Sequence, residues 1–180
     1  MVSEGWQRVG QAIVGDEELF SVGTKVSVSG NGRVISVTGT KQIIDGEFQN
    51  LLYKKEPATR TYSYDQETDL WRKIGETVQG VAEISDDGQV LAAGSPDQLA
   101  LYFFRNSQWK DIWKYTGQFA KEFSLASDGS RLGIVQGLRE VAFFDVNTTS
   151  GKVESLEAGI PVIDGGFSHL SLSSDGNKVA

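Results

Sequence analysis

Apolar and polar residues alternate along this chain in short runs, and each run ends in a small cluster of Ser, Gly, Asn or Asp. Four segments share one order: KVSVSGNGRVISV, VAEISDDGQVLAA, FSLASDGSRLGIV and LSLSSDGNKVA. Each carries an alternating run, a Ser, an Asn-Gly or Asp-Gly pair and an apolar residue five positions after the Ser. The anchors are Ser29, Ser85, Ser127 and Ser174, about 40 to 60 residues apart. A period of two places successive side chains on opposite faces of a strand. Asn-Gly and Asp-Gly supply positive φ for a tight two-residue turn, so each segment predicts a β-hairpin with the anchor at its tip.

Two further elements recur between the hairpins. One is Trp6-Gln7-Arg8-Val9-Gly10 followed by Ile13 and Gly15, repeated as Trp71-Arg72-Lys73-Ile74-Gly75 followed by Val78 and Gly80, with a degenerate copy at Trp109, Ile112 and Gly117. The other is a β-branched or aromatic stretch: Thr61–Asp65, Leu99–Phe104 and Glu140–Asp145. Together they give four strands per unit, which predicts an all-β fold, a β-propeller of four-stranded antiparallel blades with about three and a half blades in this chain. The units run approximately 1–65, 66–105, 106–146 and 147–180 within one domain, 1–180. LALYFFRN is apolar on both faces, as a strand packed between neighbouring blades requires. A β-sandwich of unrelated hairpins is the competing reading, but it does not predict a recurring order of elements. The last unit stops after its second strand, which leads us to expect a longer chain or neighbouring copies that complete the sheet.

The order W-x-x-x-G-x-x-I-x-G, then S-x-D-G-x-x-V-A, then V-x-V-Y-x-Y resembles tandem repeats of secreted and surface proteins of protists and environmental bacteria, akin to WD-repeat propellers. The likeness is clearest at Thr61–Gly80 and Ser168–Ala180. It departs at an insertion around Lys41–Arg60, at the third unit, which lacks a clean W-x-x-x-G, and at Val153–Leu156, where a Trp is expected. The resemblance implies a propeller fold, a scaffold-like role and an extracellular or cell-surface location, with a cytoplasmic one left open. It implies no reaction.

Composition narrows the partners. A net charge of −7 and a pI near 4.8 disfavour nucleic acid and anionic membrane surfaces, and no run is long and apolar enough to span a bilayer. With no cysteine there is no disulfide framework, thiolate nucleophile or Cys-based zinc site. The opening residues, MVSEGWQRVG, lack the basic and apolar regions of a secretory leader, as those of a mature or truncated form also would. Asn147-Thr148-Thr149 is an acceptor sequon for N-glycosylation.

No residue pattern rises to a catalytic, cofactor or metal signature. His169 is the one histidine and sits in an alternating strand, where a structural role is expected. The tip aspartates Asp86, Asp87, Asp128 and Asp175 lack the D-x-D-x-D spacing of a calcium loop and read as turn residues. Asp16-Glu17-Glu18 reads as a solvated acidic loop. Ser85-Asp86-Asp87-Gly88 is superficially similar to a sialidase Asp-box but lacks its spacing and its Trp, and Gly30-Asn31-Gly32 is a turn, not a phosphate cradle. Trp109, Trp113 and Tyr115, with Phe119 nearby, are candidate contacts for a partner or a sugar, against filling of blade interfaces as the bland reading. The expectation is therefore a non-enzymatic structural or protein-interaction scaffold within a larger chain or assembly, a filament among its forms, with protein partners (self-assembly or neighbouring blades) and glycans in view. The alternatives are a carbohydrate-binding module and a propeller glycoside hydrolase.

Overall fold

The computed structural model describes residues 5–45, 52–95, 98–115, 119–136, 140–156, 159–161 and 169–180. Among them there is no helix. The strands form three separate antiparallel sheets in chain order. The first holds β1 (Phe20–Val28), β2 (Val34–Asp45), β3 (Leu52–Asp65) and β4 (Leu70–Gln79), paired in that order. The second repeats the plan with β5 (Val81–Ile84), β6 (Val90–Ser95), β7 (Gln98–Arg105) and β8 (Gln108–Tyr115). The third holds β9 (Phe119–Leu125), β10 (Arg131–Gln136), β11 (Glu140–Val146) and β12 (Val153–Ser155), with the short β13 (Ile160–Pro161) also on β11. A last hairpin is joined by a bridge between Leu172 and Val179. The expected four-stranded units are present, as three sheets rather than a closed propeller. They are offset by one strand from the sequence units, because the Trp-bearing strand closes the sheet before it.

Packing explains why β6 and β7 tolerate apolar residues on both faces. All of β6 is buried, and Leu99, Leu101, Leu132 and Ile134 are fully enclosed. Leu99, Leu101, Phe123, Leu125, Leu132, Ile134 and Phe144 form one core across the second and third sheets. Val78, Ala82, Ile84, Leu91, Ala93 and Trp109 form another at the junction of the first and second. Each large side chain buried in this way contributes about 1.5–3 kcal/mol. At both junctions that carry a Trp, the ring lies against a glycine of the preceding Trp motif. A Cβ on Gly10 would sit 2.6 Å from Trp71 Cδ1, and one on Gly75 would sit 2.5 Å from Trp109 Cδ1. Gly75 has a φ of +63° and lies in a bulge, where Gly75–Thr77 of β4 faces the single residue Arg60 of β3.

The hairpin tips differ from the two-residue turns expected. In each, the third residue after the anchor donates back to it: Gly32 to Ser29, Gly88 to Ser85, Gly129 to Ala126 and Gly176 to Ser173. Only the glycine takes positive φ. The Asn or Asp before it instead holds the turn with its side chain. Asp87 Oδ1 accepts from the Ser85 hydroxyl at 2.6 Å and from Gln89 N–H at 2.9 Å, while Ser85 Oγ accepts from Val90 N–H at 2.9 Å. Ser29 with Asn31, and Ser173 with Asp175, repeat this arrangement. The third and fourth anchors are therefore Ala126 and Ser173, one residue before the expected Ser127 and Ser174. Matching S-D-G to S-D-D-G displaced them.

The same register ties the sheets together along their inner edge. In an antiparallel pair alternate N–H groups point off a free edge, and the residue before each anchor is one of these. Ile84 N–H is taken by Ser27 Oγ at 3.1 Å, Leu125 N–H by Glu83 Oε2 at 2.9 Å and Leu172 N–H by Ser124 Oγ at 3.1 Å. Each acceptor lies two residues before the anchor of the preceding hairpin. The tips add main-chain bonds: Gly30 N–H to Asp86 O, Asp86 N–H to Ser127 O and Asp128 N–H to Ser174 O.

Candidate functional site

The first sheet departs from the plan of the others in one region. β2 and β3 pair without interruption from Val34↔Ser63 to Asp45↔Leu52, while β1 reaches only to Thr40 and β4 only to Ala58. Beyond those points the two strands continue as an arm, and at its base lies a cavity of about 230 Å³ lined by Lys41, Glu56, Thr77 and Gln79 among others. Strand periodicity builds this site. Lys54 and Glu56 are two apart and share a face, and Lys41 stands opposite Glu56 in the register.

Glu56 is buried at 8% exposure, unusual for a carboxylate. Burial of such a group requires partners, and both its oxygens have one. Lys54 Nζ lies 2.6 Å from Oε1, and Gln79 Nε2 donates to Oε2. The carboxylate is thereby fixed in orientation while its edge faces the cavity. Such a group can accept a proton or a hydroxyl hydrogen bond, and a nearby ammonium can stabilise negative charge developing on oxygen.

Arg60, on the same face of β3, is also buried. Its guanidinium donates to Asp16 at 2.5 and 3.1 Å and to Glu18 at 3.2 Å, and its Nε donates to Thr77 Oγ1 at 3.3 Å. Asp16 and Glu18, in the segment before β1, thus clamp a cation of β3, where a solvated loop was expected. The bond to Arg60, with help from Leu19 N–H, lowers the pKa of Asp16 to about 2. Asp16 also accepts from Glu18 N–H, so it caps its own loop while closing the ion pair.

The residues singled out by sequence fall elsewhere. Trp109 is buried, and its Nε1 donates to Thr61 Oγ1 at 2.6 Å. Trp113 and Tyr115 are half-buried, with Trp113 4.8 Å from Phe144 at 52° and Tyr115 edge-on to Phe144. These three rings pack against neighbouring sheets. The side chain of Phe119 lies outside the described residues. Asp87, Asp128 and Asp175 spend their oxygens on turn hydroxyl and N–H groups, and the Ser173 hydroxyl draws the pKa of Asp175 down to about 2. Among the described residues no three His, Asp or Glu side chains come together as a metal site. His169 is exposed at the start of the last hairpin, and Asn147 is exposed in the turn between β11 and β12. Glu56 was not found by sequence because it lies in the stretch that breaks the repeat. The signal available there was Lys54-x-Glu56, a cation and an anion at strand spacing.

No protein-family model matches the chain, and no curated protein matches it in sequence. Solved structures do match in fold. Hydrazine synthase of Kuenenia stuttgartiensis is similar at a TM-score of 0.55 and 16% identity, over 97% of this chain and 44% of that one. A candidate 6-phosphogluconolactonase of Bacteroides uniformis is similar at 0.49 and 13% identity over 76% of this chain and 54% of that one. The periplasmic gluconolactonase of Pseudomonas aeruginosa is similar at 0.47 and 17% identity over 76% of this chain and 40% of that one. The chain thus spans about half, or less, of each of these structures. The likeness to hydrazine synthase, at a TM-score above 0.5, supports a shared all-β fold. The expectation of a non-enzymatic scaffold is corrected here: that reading took the repeat architecture and the unfinished last unit as signs of a structural role, whereas the same architecture occurs in structures named as enzymes, hydrazine synthase among them. Among the described residues no helix is long and apolar enough to cross a membrane.

Proposed function

We propose that the chain contributes consecutive blades to an enzyme-type β-propeller, and that its chemistry is hydrolysis of an ester or lactone of a small hydroxylated molecule in the cavity at Glu56. One observation carries this reading: a buried carboxylate, held at both oxygens, faces a cavity beside Lys41 and Lys54. Water bound against Glu56 gives up a proton to the carboxylate as its oxygen adds to the acyl carbon. Charge then gathers on the carbonyl oxygen, which the Lys41 ammonium is placed to stabilise. The acyl C–O bond breaks, and the departing alkoxide recovers the proton from Glu56. Glycoside hydrolysis needs two facing carboxylates, and Glu56 is the one carboxylate lining this cavity among the described residues. The geometry therefore supports acyl chemistry better than the glycosidase alternative.

The test is hydrolysis of a panel of sugar lactones and aryl esters by the native protein, compared with Glu56→Gln. General-base catalysis of this kind is worth about 10²–10⁴-fold, so a loss of at least about 100-fold in kcat with an unchanged melting temperature is expected. A Glu56→Gln protein as active as the parent overturns the reading, as does a native protein inert on the whole panel.

A further inference from the structure

We propose that Asn147 is an acceptor for an N-linked glycan. The chain contains one Asn-x-Ser/Thr triplet, Asn147-Thr148-Thr149, and the structure places it where a transferase can reach it. Residues 147–150 are exposed in the turn between β11 and β12. The turn is firmly built. Asn147 N–H donates to Lys152 O at 2.8 Å, Gly151 N–H donates back to Asn147 O at 2.7 Å, and Arg105 of the second sheet donates to Thr149 O at 2.7 Å.

The asparagine carboxamide is oriented rather than free to spin. Its Oδ1 accepts from Thr149 N–H at 3.1 Å and from Ser150 N–H at 2.8 Å. The amide has one oxygen and one nitrogen on a common plane, so fixing the oxygen over the turn directs Nδ2 away from the backbone. Beside it lies an open cleft of about 370 Å³ lined by Arg131, Asp145, Asn147, Lys152 and Glu154 among others. A first sugar attached at Nδ2 would lie along this polar cleft, with donors and acceptors from both strands of the hairpin within reach. The co-reactant is a polyprenyl-pyrophosphate-linked oligosaccharide. The Asn147 amide nitrogen attacks its anomeric carbon, an N–C bond forms and the C–O bond to pyrophosphate breaks. The pyrophosphate leaves with the bonding pair, and one amide proton passes to a base of the transferase.

The experiment is secretion of the full chain from a eukaryotic host behind a leader, followed by intact mass and peptide mapping of the material in the medium, before and after peptide-N-glycosidase. A glycan on the peptide containing Asn147, lost on digestion with conversion of Asn147 to Asp, is the expected result. Thr149→Ala should abolish it and Thr148→Ala should leave it in place. Thr149→Ala keeps the backbone N–H that holds the turn, so its loss of glycan cannot be assigned to misfolding when the melting temperature is unchanged. Secreted, folded chain unmodified at Asn147 overturns the proposal, as does a glycan that persists in Thr149→Ala.

Discussion

The first sheet and the second are laid out alike and filled differently. In the second sheet the enclosed positions are Leu91, Leu99 and Leu101, with Ala92 and Ala100 between them. In the first sheet the equally enclosed positions are Thr38, Thr59 and Thr61, and the buried set also includes Ser36, Glu56 and Arg60. A buried hydroxyl costs free energy unless it is bonded. The three threonines are bonded, Thr38 Oγ1 to Thr59 Oγ1 at 2.8 Å, Thr59 Oγ1 to Gly80 O at 2.7 Å and Thr61 Oγ1 to Ile74 O at 2.8 Å, while the Ser36 hydroxyl has no partner among the described residues. The second sheet is held mainly by area removed from water, whereas the first combines Val37, Ala58 and Val78 with a set of buried polar groups that are bonded except at Ser36. The polar sheet is also the one that carries the arm, the cavity and the Arg60 clamp. The contrast suggests that the first sheet gave up apolar filling where its side chains have other work.

That contrast can be broken from either side. The largest effect is expected at the junction the two sheets share. Trp109→Ala removes a buried indole from the apolar cluster and its bond to Thr61, and should cost about 3–5 kcal/mol in urea denaturation. Next is Leu101→Ala in the second sheet, at about 2–5 kcal/mol. Thr59→Val is nearly the same size and shape, yet it leaves the Thr38 hydroxyl and the Gly80 carbonyl without their partner. It should cost about 1–3 kcal/mol, whereas a neutral or stabilising result would mean that the first sheet is held by area after all. The smallest effect is electrostatic. Asp16 has a folded pKa lowered to about 2 from an ordinary 3.8, so its contribution is complete above the unfolded value and is lost as pH falls through the folded one. Between about pH 4 and pH 2 the parent should lose stability more steeply than Asp16→Asn, measured as melting temperature against pH. Equal slopes would show that Asp65 and Asp175, whose pKa values are also about 2, carry the acid limb instead.

Legibility followed the same division. The hairpins, the four-strand unit and the two-sided apolar strands could be read because hydrophobic burial leaves a periodic trace, as in Leu99–Phe104. The tips were found by their glycines, but Ala126 hid the true register, since the turn is held there by backbone and by Asp128 without the anchor hydroxyl. Trp109 reads from sequence either as a contact for a partner or as filler of a blade interface, and it is the second; what the sequence does not show is that Gly75 makes room for the ring. Glu56 and Arg60 were passed over because the meaning of a charged residue in a strand depends on what faces it. Their partners, Asp16, Thr77 and Gln79, lie on other segments.

The inner-edge bonds have a consequence for how a disturbance travels. Each tip is bonded to the next in line and each edge N–H is capped from the sheet before it, so the sheets form a chain of nearest neighbours in which tip amides donate forward and edge amides donate back. Loosening one sheet frees the capped edge amide of its follower and the tip amide of the sheet before it, and opens the apolar core shared with each neighbour. Amide exchange should therefore be graded rather than uniform. The amides of Ile84, Leu125 and Leu172 would report the opening of the sheet before their own, acting as built-in gauges of where along the array unfolding starts.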